Sequence, residues 1–218
     1  IPPHHLGREE KKKPSLQEME RVGERSMLEQ GKEMFQWIPN AHIKFPCNEE
    51  GLKAAEAAVK DGMRINMTLC FSQEQAAAVH AATRSAWRGQ VFVSPFVGRL
   101  DDRGVNGMDL IKNILKMYKE IQSPVEVLTA SVRSIDHFMY ALQLGSDIIT
   151  SPIKVIREWA SSNFPPQAWG GKKGEVESYH LRPLSSSPLA RGEGLKPIPY
   201  KALDLSKSWQ ELYRPHEL

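Results

Sequence analysis

The chain has 218 residues, of which 40% are hydrophobic and 25% are charged, an ordinary composition for a globular protein. Its 29 basic and 26 acidic residues leave a net charge of +3, too small for the strong positive field that nucleic-acid or anionic-membrane binding requires. No run reaches the roughly 20 apolar residues that cross a bilayer, and the first residues lack the apolar core of a signal peptide. We therefore expect a cytoplasmic protein that acts on a small molecule or a protein partner.

Residues 1–14 are polar and charged, and they predict a solvated lead-in to the folded part. From Ser15, apolar residues recur at helical spacing, and we expect this helix to end between Trp37 and Pro39. Short apolar runs then alternate with helical patterns. The predicted strands cover residues 42–45, 65–69, 90–94, 125–130 and 147–150, and the predicted helices after them cover residues 49–60, 73–84, 108–121, 134–144 and 153–160.

Five strands that are each followed by a helix predict an α/β fold with a parallel sheet, because parallel neighbours need a crossover connection. In each strand, the residues that point to either face are mostly apolar, so both faces of the sheet are expected to be buried. Residues 161–218 are rich in Pro, Gly and Ser and predict an irregular C-terminal extension with one helical turn within residues 205–212. An extension of this kind wraps the domain, contacts another subunit of a homo-oligomer, or is disordered.

Lys44 is the first candidate for chemistry, because it lies between Ile43 and Phe45 in a strand that is expected to be buried. Burial removes water from a lysine amine and favours its neutral form, which can attack a carbonyl carbon. Alternatively, Lys44 lies at an edge of the strand and extends its amine to water.

Asn66 and Thr68 lie two residues apart in the next strand, so their side chains point to the same face. On an interior face, an amide and a hydroxyl beside the Lys44 amine would orient water or substrate hydroxyls. The alternative is a structural role, in which Thr68 favours the strand conformation and Asn66 bonds to the backbone.

Arg99 and Arg133 each follow the end of a predicted strand, and Ser131 lies beside the second of them. Functional groups of parallel α/β folds collect where strands end, and guanidinium groups match phosphate oxygens in a bidentate way. The two arginines and the serine therefore predict a site for a phosphate dianion, with surface ion pairs as the alternative.

Other polar residues are expected to be structural. The spacing of Cys and His residues matches no metal site or disulfide framework, so we interpret Cys47 and Cys70 as reduced packing residues. The adjacent acids Asp101 and Asp102 face different directions, and we expect them to be solvated or paired with the neighbouring arginine, Arg99. The three isolated histidines are interpreted as packing or surface residues: His42, His80 and His137.

Taken together, residues 15–160 resemble the transaldolase and fructose-6-phosphate aldolase family. The resemblance is carried by five segments in the family's order: Ile43-Lys-Phe-Pro46, Glu50-Gly-Leu52, Ile65-Asn-Met-Thr-Leu-Cys-Phe-Ser72, Val93-Ser-Pro-Phe-Val-Gly-Arg-Leu-Asp-Asp102 and Thr129-Ala-Ser-Val-Arg133. It implies a (β/α)8 TIM barrel of the class I aldolase type, of which this chain would hold strands four to eight. It also implies an enzyme that needs no metal and no cofactor.

The resemblance also implies roles for single residues. Lys44 would be the Schiff-base lysine on the fourth barrel strand, while Asn66 and Thr68 would position the dihydroxyacetone unit and a catalytic water. The phosphate site would consist of Arg99, Ser131 and Arg133. Ser94 and Phe96 would line the pocket, and a Phe at this position favours transfer of the three-carbon unit, whereas the family's aldolases usually carry Tyr.

The expected function is that of a transaldolase of the pentose phosphate pathway, acting on sugar phosphates. The alternatives are a fructose-6-phosphate aldolase and, from another class, an inactive scaffold or interaction module. The family supplies an aspartate, an asparagine and an acidic or Gln residue from strands one to three, and none of them can be mapped onto this sequence. We therefore expect a chain truncated at both ends, with weak or absent activity by itself.

Overall fold

The computed structural model describes residues 27–161, 196–198 and 200–215. A first helix, α1, covers residues 27–35. Five strands and their helices follow in alternation: β1 (Ile43–Pro46), α2 (Glu49–Lys60), β2 (Ile65–Cys70), α3 (Gln73–Ala82), β3 (Val91–Pro95), α4 (Val97–Asp101), α5 (Gly107–Glu120), β4 (Glu126–Thr129), α6 (Ile135–Leu144), β5 (Ile148–Ile149) and α7 (Ile153–Ser161). A 3-10 helix (Tyr200–Leu203) and a short helix α8 (Trp209–Leu212) complete the described elements.

Short polar side chains set the start of most of these helices. The residue before α2, α3, α5 and α6 accepts a hydrogen bond from a backbone N–H of the first turn, and these residues are Asn48, Ser72, Asn106 and Ser134. Gly145 ends α6 at φ +75°, a conformation that glycine adopts without strain. No helix among the described residues is long and apolar enough to cross a membrane.

The five strands form one parallel sheet in the order β1-β2-β3-β4-β5. The predicted α/β architecture is therefore confirmed, and consecutive neighbours joined by helices are the arrangement found in part of a (β/α)8 barrel. One sheet face packs against the helices and forms the core with side chains such as Phe45, Met67, Val93 and Val127.

Burial of both sheet faces was predicted, and this expectation is correct only for the middle of the sheet. On the face opposite the helices, Asn66 is 8% exposed and Ser94 is 1% exposed. Lys44 on the same face is exposed, so the prediction is wrong for β1. The reason is that β1 has a neighbour on one side only in the described sheet. The alternative that placed Lys44 at an edge describes its position.

Most predicted elements lie within two residues of their observed bounds, and two short helices were not predicted. Helix α4 has 5 residues and the helix Tyr200–Leu203 has 4, too few for a periodic pattern. The polar lead-in and the Ser15 helix start lie outside the described residues, as do residues 162–195 of the predicted C-terminal extension.

The described part of this extension, residues 196–198 and 200–215, packs as a strap on the helical layer. Gln73 at the start of α3 exchanges two hydrogen bonds with the backbone of Ile198, at 2.8 and 2.9 Å. Arg84, beyond the end of α3, donates to the carbonyls of Leu205 and Lys207. The strap then reaches α2, where the indole Nε1 of Trp209 donates to Glu56 Oε2 at 2.9 Å.

The strap is expected to contribute to the stability of the whole domain, because Trp209 is 3% exposed and belongs to the main core. Trp209→Ala should lower the free energy of unfolding by about 3–5 kcal/mol through lost burial and a cavity. Trp87→Ala is the matched control, since Trp87 is 55% exposed. Urea denaturation followed by circular dichroism measures both changes, and equal effects of the two substitutions would contradict the packing of the strap.

Candidate functional site

A row of side chains runs across the sheet on the face opposite the helices. Lys44 of β1 is in register with Asn66 of β2, Asn66 with Phe92 of β3, and Phe92 with Glu126 of β4. Partners in neighbouring strands lie about 4.8 Å apart, so Lys44 and Asn66 are immediate neighbours. The predicted juxtaposition of the amine-bearing and amide-bearing residues is therefore present in the sheet.

A polar group surrounds Asn66 in the middle of this face. The hydroxyl of Ser94 donates to Asn66 Oδ1 at 2.6 Å, which fixes the orientation of the amide. Thr68 lies on the same face as Asn66, two residues along β2. Its Oγ1 is buried and has no hydrogen-bond partner among the described residues. A buried hydroxyl without a partner is costly, so this position is suited to bind water or a substrate hydroxyl.

Phe96 follows β3 and lies at the carboxyl end of the strands. Its backbone N–H donates to the carbonyl of Cys70 at 3.0 Å, which holds the end of β3 against β2. The half-buried ring contacts Phe71 edge to face, with 5.9 Å between the ring centroids. The two aromatic rings give this end of the site an apolar wall.

Helix α4 brings the end of β3 against the loop that follows β4. The backbone N–H of Gly98 donates to the carbonyl of Ser131 at 3.1 Å. A Cβ atom at Gly98 would lie 2.3 Å from that carbonyl oxygen and 2.5 Å from the Nε of Arg133. The contact between α4 and the Ser131–Arg133 segment therefore requires glycine at this position.

The two arginines of the predicted phosphate site act on one carboxylate, Asp102. Arg133 binds Asp102 with both terminal nitrogens, and Nη2 lies 2.6 Å from Oδ2. This hydrogen bonding lowers the pKa of Asp102 below its ordinary value, and the positive charge of Arg99 adds to the effect. Arg99 and Arg133 are both exposed. The ion pair predicted as an alternative for the arginines is present, and it joins the two strand ends.

Asp101, the residue before Asp102, has a different set of contacts. Its Oδ1 accepts from the backbone N–H of Gly107 at 2.9 Å, and its Oδ2 lies 2.6 Å from Nε2 of the buried His137. The backbone N–H of Arg133 donates to His137 Nδ1 at 3.3 Å, so the ring proton lies on Nε2, whose short contact with Asp101 lacks the geometry of a hydrogen bond. Asp101 thereby ties α4 to α5, to α6 and to the backbone of Arg133.

Two residues of the strand ends have strained backbones. Leu69 at the end of β2 and Ser131 after β4 both have φ of +60°, which residues with a side chain rarely adopt. Strain of this kind is maintained only where the surrounding structure enforces it, and it clusters at functional sites. Gln122 and Asp204 also have positive φ and lie away from this edge, so the strain at Leu69 and Ser131 marks the contact of the strand ends and is not in itself evidence of function.

The structure brings the predicted site residues to one face and one edge of the sheet, in two groups. Lys44, Asn66, Thr68 and Ser94 form the first group, on β1 to β3. Arg99, Ser131 and Arg133 form the second group, after β3 and β4. Sequence reasoning missed Asp102 as a site residue, because the adjacent acids were expected to be solvated or to pair with the neighbouring Arg99, whereas Asp102 binds Arg133.

Comparisons with known proteins show which proteins this chain is similar to. Residues 22–179, well over half of the chain, match the family model described as Transaldolase/Fructose-6-phosphate aldolase. A protein named "Probable transaldolase" from Dehalococcoides mccartyi is 45% identical over 132 residues, which are 61% of this chain and 58% of that protein. Proteins of the same name from Roseiflexus sp. and Ruegeria sp. are 42% and 38% identical over the same shares of both chains. The chain thus spans less than two thirds of the length of these relatives.

Thr68 and Ser94 should respond in opposite ways to removal of their hydroxyl groups. Thr68→Val keeps the shape and removes a hydroxyl without a partner, so the free energy of unfolding should rise by about 1 kcal/mol. Ser94→Ala removes the donor to the buried Asn66 and should lower it by about 1–3 kcal/mol. Urea denaturation of both variants and of the unsubstituted protein measures these changes in the free energy of unfolding. A destabilised Thr68→Val variant would mean that the hydroxyl is already satisfied.

Proposed function

The chain belongs to the transaldolase/fructose-6-phosphate aldolase family, and we propose that it acts as a transaldolase through a Schiff base on Lys44. The amine of Lys44 adds to the ketone carbon of a sugar phosphate, and water leaves as the imine forms. The protonated imine accepts the electron pair of the breaking carbon–carbon bond, the hydroxyl of the departing carbon passes its proton to the water beside Thr68, and an aldose is released. The retained three-carbon carbanion adds to the carbonyl carbon of a second aldose phosphate, the new hydroxyl takes up a proton from the same water, and hydrolysis of the imine frees Lys44. No metal or cofactor is needed because the imine itself is the electron sink.

The observation that carries this proposal is the register of Lys44 with Asn66, beside the unpartnered hydroxyl of Thr68. Imine formation releases a water molecule at the reacting carbon and imine hydrolysis consumes one, and the Thr68 hydroxyl is suited to hold it. The amide of Asn66, oriented by Ser94, is suited to bind a hydroxyl of the dihydroxyacetone unit. These roles agree with those that the family resemblance implies.

The spacing of the two groups of residues suits a sugar phosphate. Lys44 lies on β1, while Arg99 and Arg133 follow β3 and β4, so two or three strand spacings, roughly 10–14 Å, separate the backbones. Lysine and arginine side chains are long enough to reach toward an extended hexose phosphate placed across this gap. The ketone carbon would lie at Lys44 and the phosphate at the arginines. We assign this reaction to the pentose phosphate pathway and to the cytoplasm.

Phe96 favours transaldolase over fructose-6-phosphate aldolase. Its ring has no proton to donate, so a carbanion beside it remains available to an aldose acceptor. A tyrosine would place a hydroxyl there. An assay for free dihydroxyacetone in the absence of an acceptor separates the two activities. Accumulation of dihydroxyacetone would favour the aldolase.

An inactive scaffold or interaction module is the candidate from another class. It is favoured by the exposure of Lys44 on the edge strand β1, because an edge strand offers unpaired backbone groups to another chain. We expect the chain by itself to turn over well below the roughly 1–10³ per second of typical enzymes. A steady-state assay combined with size-exclusion chromatography distinguishes a weak enzyme from a binding module.

Borohydride reduction tests the role of Lys44 directly. Incubation with fructose 6-phosphate and borohydride should attach a reduced three-carbon unit to Lys44, because reduction makes the imine permanent. Peptide mass spectrometry locates the adduct. Lys44→Ala should abolish it, whereas Lys60→Ala, which removes an exposed lysine paired with Glu56, should leave it unchanged. An adduct that persists in Lys44→Ala, or no adduct in the unmodified chain, would overturn the proposal.

A further inference from the structure

Arg133 is held along the surface of α4 by two features of that helix. The stem of Arg133 lies over Gly98, where a Cβ atom would come within 2.8 Å of its Cδ. Its terminal nitrogens bind Asp102. Gly98 and Asp102 are four residues apart and therefore share one face of α4. The arginine thus lies lengthwise on the helix, with its guanidinium group against the carboxylate.

This arrangement engages the part of Arg133 that would bind a phosphate. A guanidinium group binds an oxyanion most strongly through two parallel N–H bonds, and here both terminal nitrogens face the oxygens of Asp102. The remaining nitrogen, Nε, lies against Gly98. A bidentate phosphate contact at Arg133 therefore requires that Asp102 moves away.

The charge of Asp102, like its position, opposes the binding of a phosphate at Arg133. Asp102 carries a negative charge beside Arg99 and Arg133, and it offsets one of their two positive charges. Asp101 plays no part in this competition, because the backbone of Gly107 and the ring of His137 hold its two oxygens. Both partners of the Asp102–Arg133 pair are about half exposed, and exposed pairs of this kind are weak enough to exchange.

We propose that Asp102 is a specificity-determining residue that occupies Arg133 in the empty site and is displaced by the phosphate group of the substrate. A phosphate dianion carries twice the charge of the carboxylate and offers more acceptor oxygens, so it replaces Asp102. A neutral sugar or a singly charged carboxylate does not. The inference rests on the proposed function, and it adds a basis for selecting phosphorylated substrates over unphosphorylated ones.

The test is the affinity of inorganic phosphate, measured by isothermal titration calorimetry on the full chain at constant ionic strength. Asp102→Asn should tighten phosphate binding by roughly threefold to tenfold, because the competing anion is removed. Asp61→Asn is the matched control, since Asp61 forms an exposed pair with Lys32 at the end of α2. It makes the same charge change and should leave the dissociation constant unchanged. Asp102→Ser should repeat the effect of Asp102→Asn.

A double-substitution cycle separates the competition for Arg133 from a general charge effect. In an Arg133→Gln background, which weakens phosphate binding, Asp102→Asn should change the dissociation constant by less than about twofold, because sites that share a contact are not additive. Circular dichroism checks that each variant is folded. Weaker, unchanged or undetectable phosphate binding in Asp102→Asn would overturn the inference, as would an equal gain in Asp61→Asn.

Failure of the inference about Asp102 is distinguishable from failure of the proposed transaldolase function. A borohydride adduct on Lys44 together with unchanged phosphate affinity in Asp102→Asn would leave the transaldolase proposal in place and sink the role of Asp102. Tighter phosphate binding in Asp102→Asn without a borohydride adduct would support the competition at Arg133 and contradict the proposed Schiff base on Lys44.

Discussion

The parallel register of the sheet is the constraint on which the candidate site depends. Because β1, β2, β3 and β4 all run in the same direction, their carboxyl ends meet at one edge, and residues in register form rows across one face. The hydrogen bond from Ser94 to Asn66 links two neighbouring strands of this face. Residues far apart in sequence become neighbours without any local motif that joins them. The proposed chemistry is thereby divided between an amine on β1 and arginines that follow β3 and β4.

The end of β2 shows how the regular alternation of a strand is interrupted near the site. With φ of +60°, Leu69 turns outward and is 39% exposed, whereas Cys70 is fully buried. The turn leaves Thr68 as the last residue of the strand on the polar face and places Cys70 near Cys47 in the core. Burial raises the pKa of the Cys47 thiol well above its ordinary value, and Cys70 adds to the effect. Both cysteines are free and buried, in agreement with their interpretation as packing residues.

Sequence patterns predicted the local elements well because these depend on neighbouring residues. The bounds of α2 were predicted without error, since Asn48 caps its start and Asp61-Gly62 ends it. Lys44 was placed in a strand correctly, but the choice between a buried and an edge position stayed open, because burial depends on which elements cover the strand. The positive φ of Ser131 and the contact of Gly98 with Arg133 arise only when two strand ends meet. Asp102 was expected to be solvated or to pair with the neighbouring Arg99, and its actual partner, Arg133, lies 31 residues away, beyond the reach of a local pattern.

The pair Asp101-Asp102 shows how two adjacent carboxylates acquire different roles. Successive residues of a helix point in different directions, so Asp101 faces α5 and α6 while Asp102 faces Arg133. Asp101 fixes α4 through Gly107 and His137, and His137 in turn holds the backbone of Arg133. The fixed acid thus determines where the exchangeable acid lies. Since the backbones of α4 and Arg133 are both anchored, a ligand that displaces Asp102 has to move only two exposed side chains, and the strand ends can keep their positions.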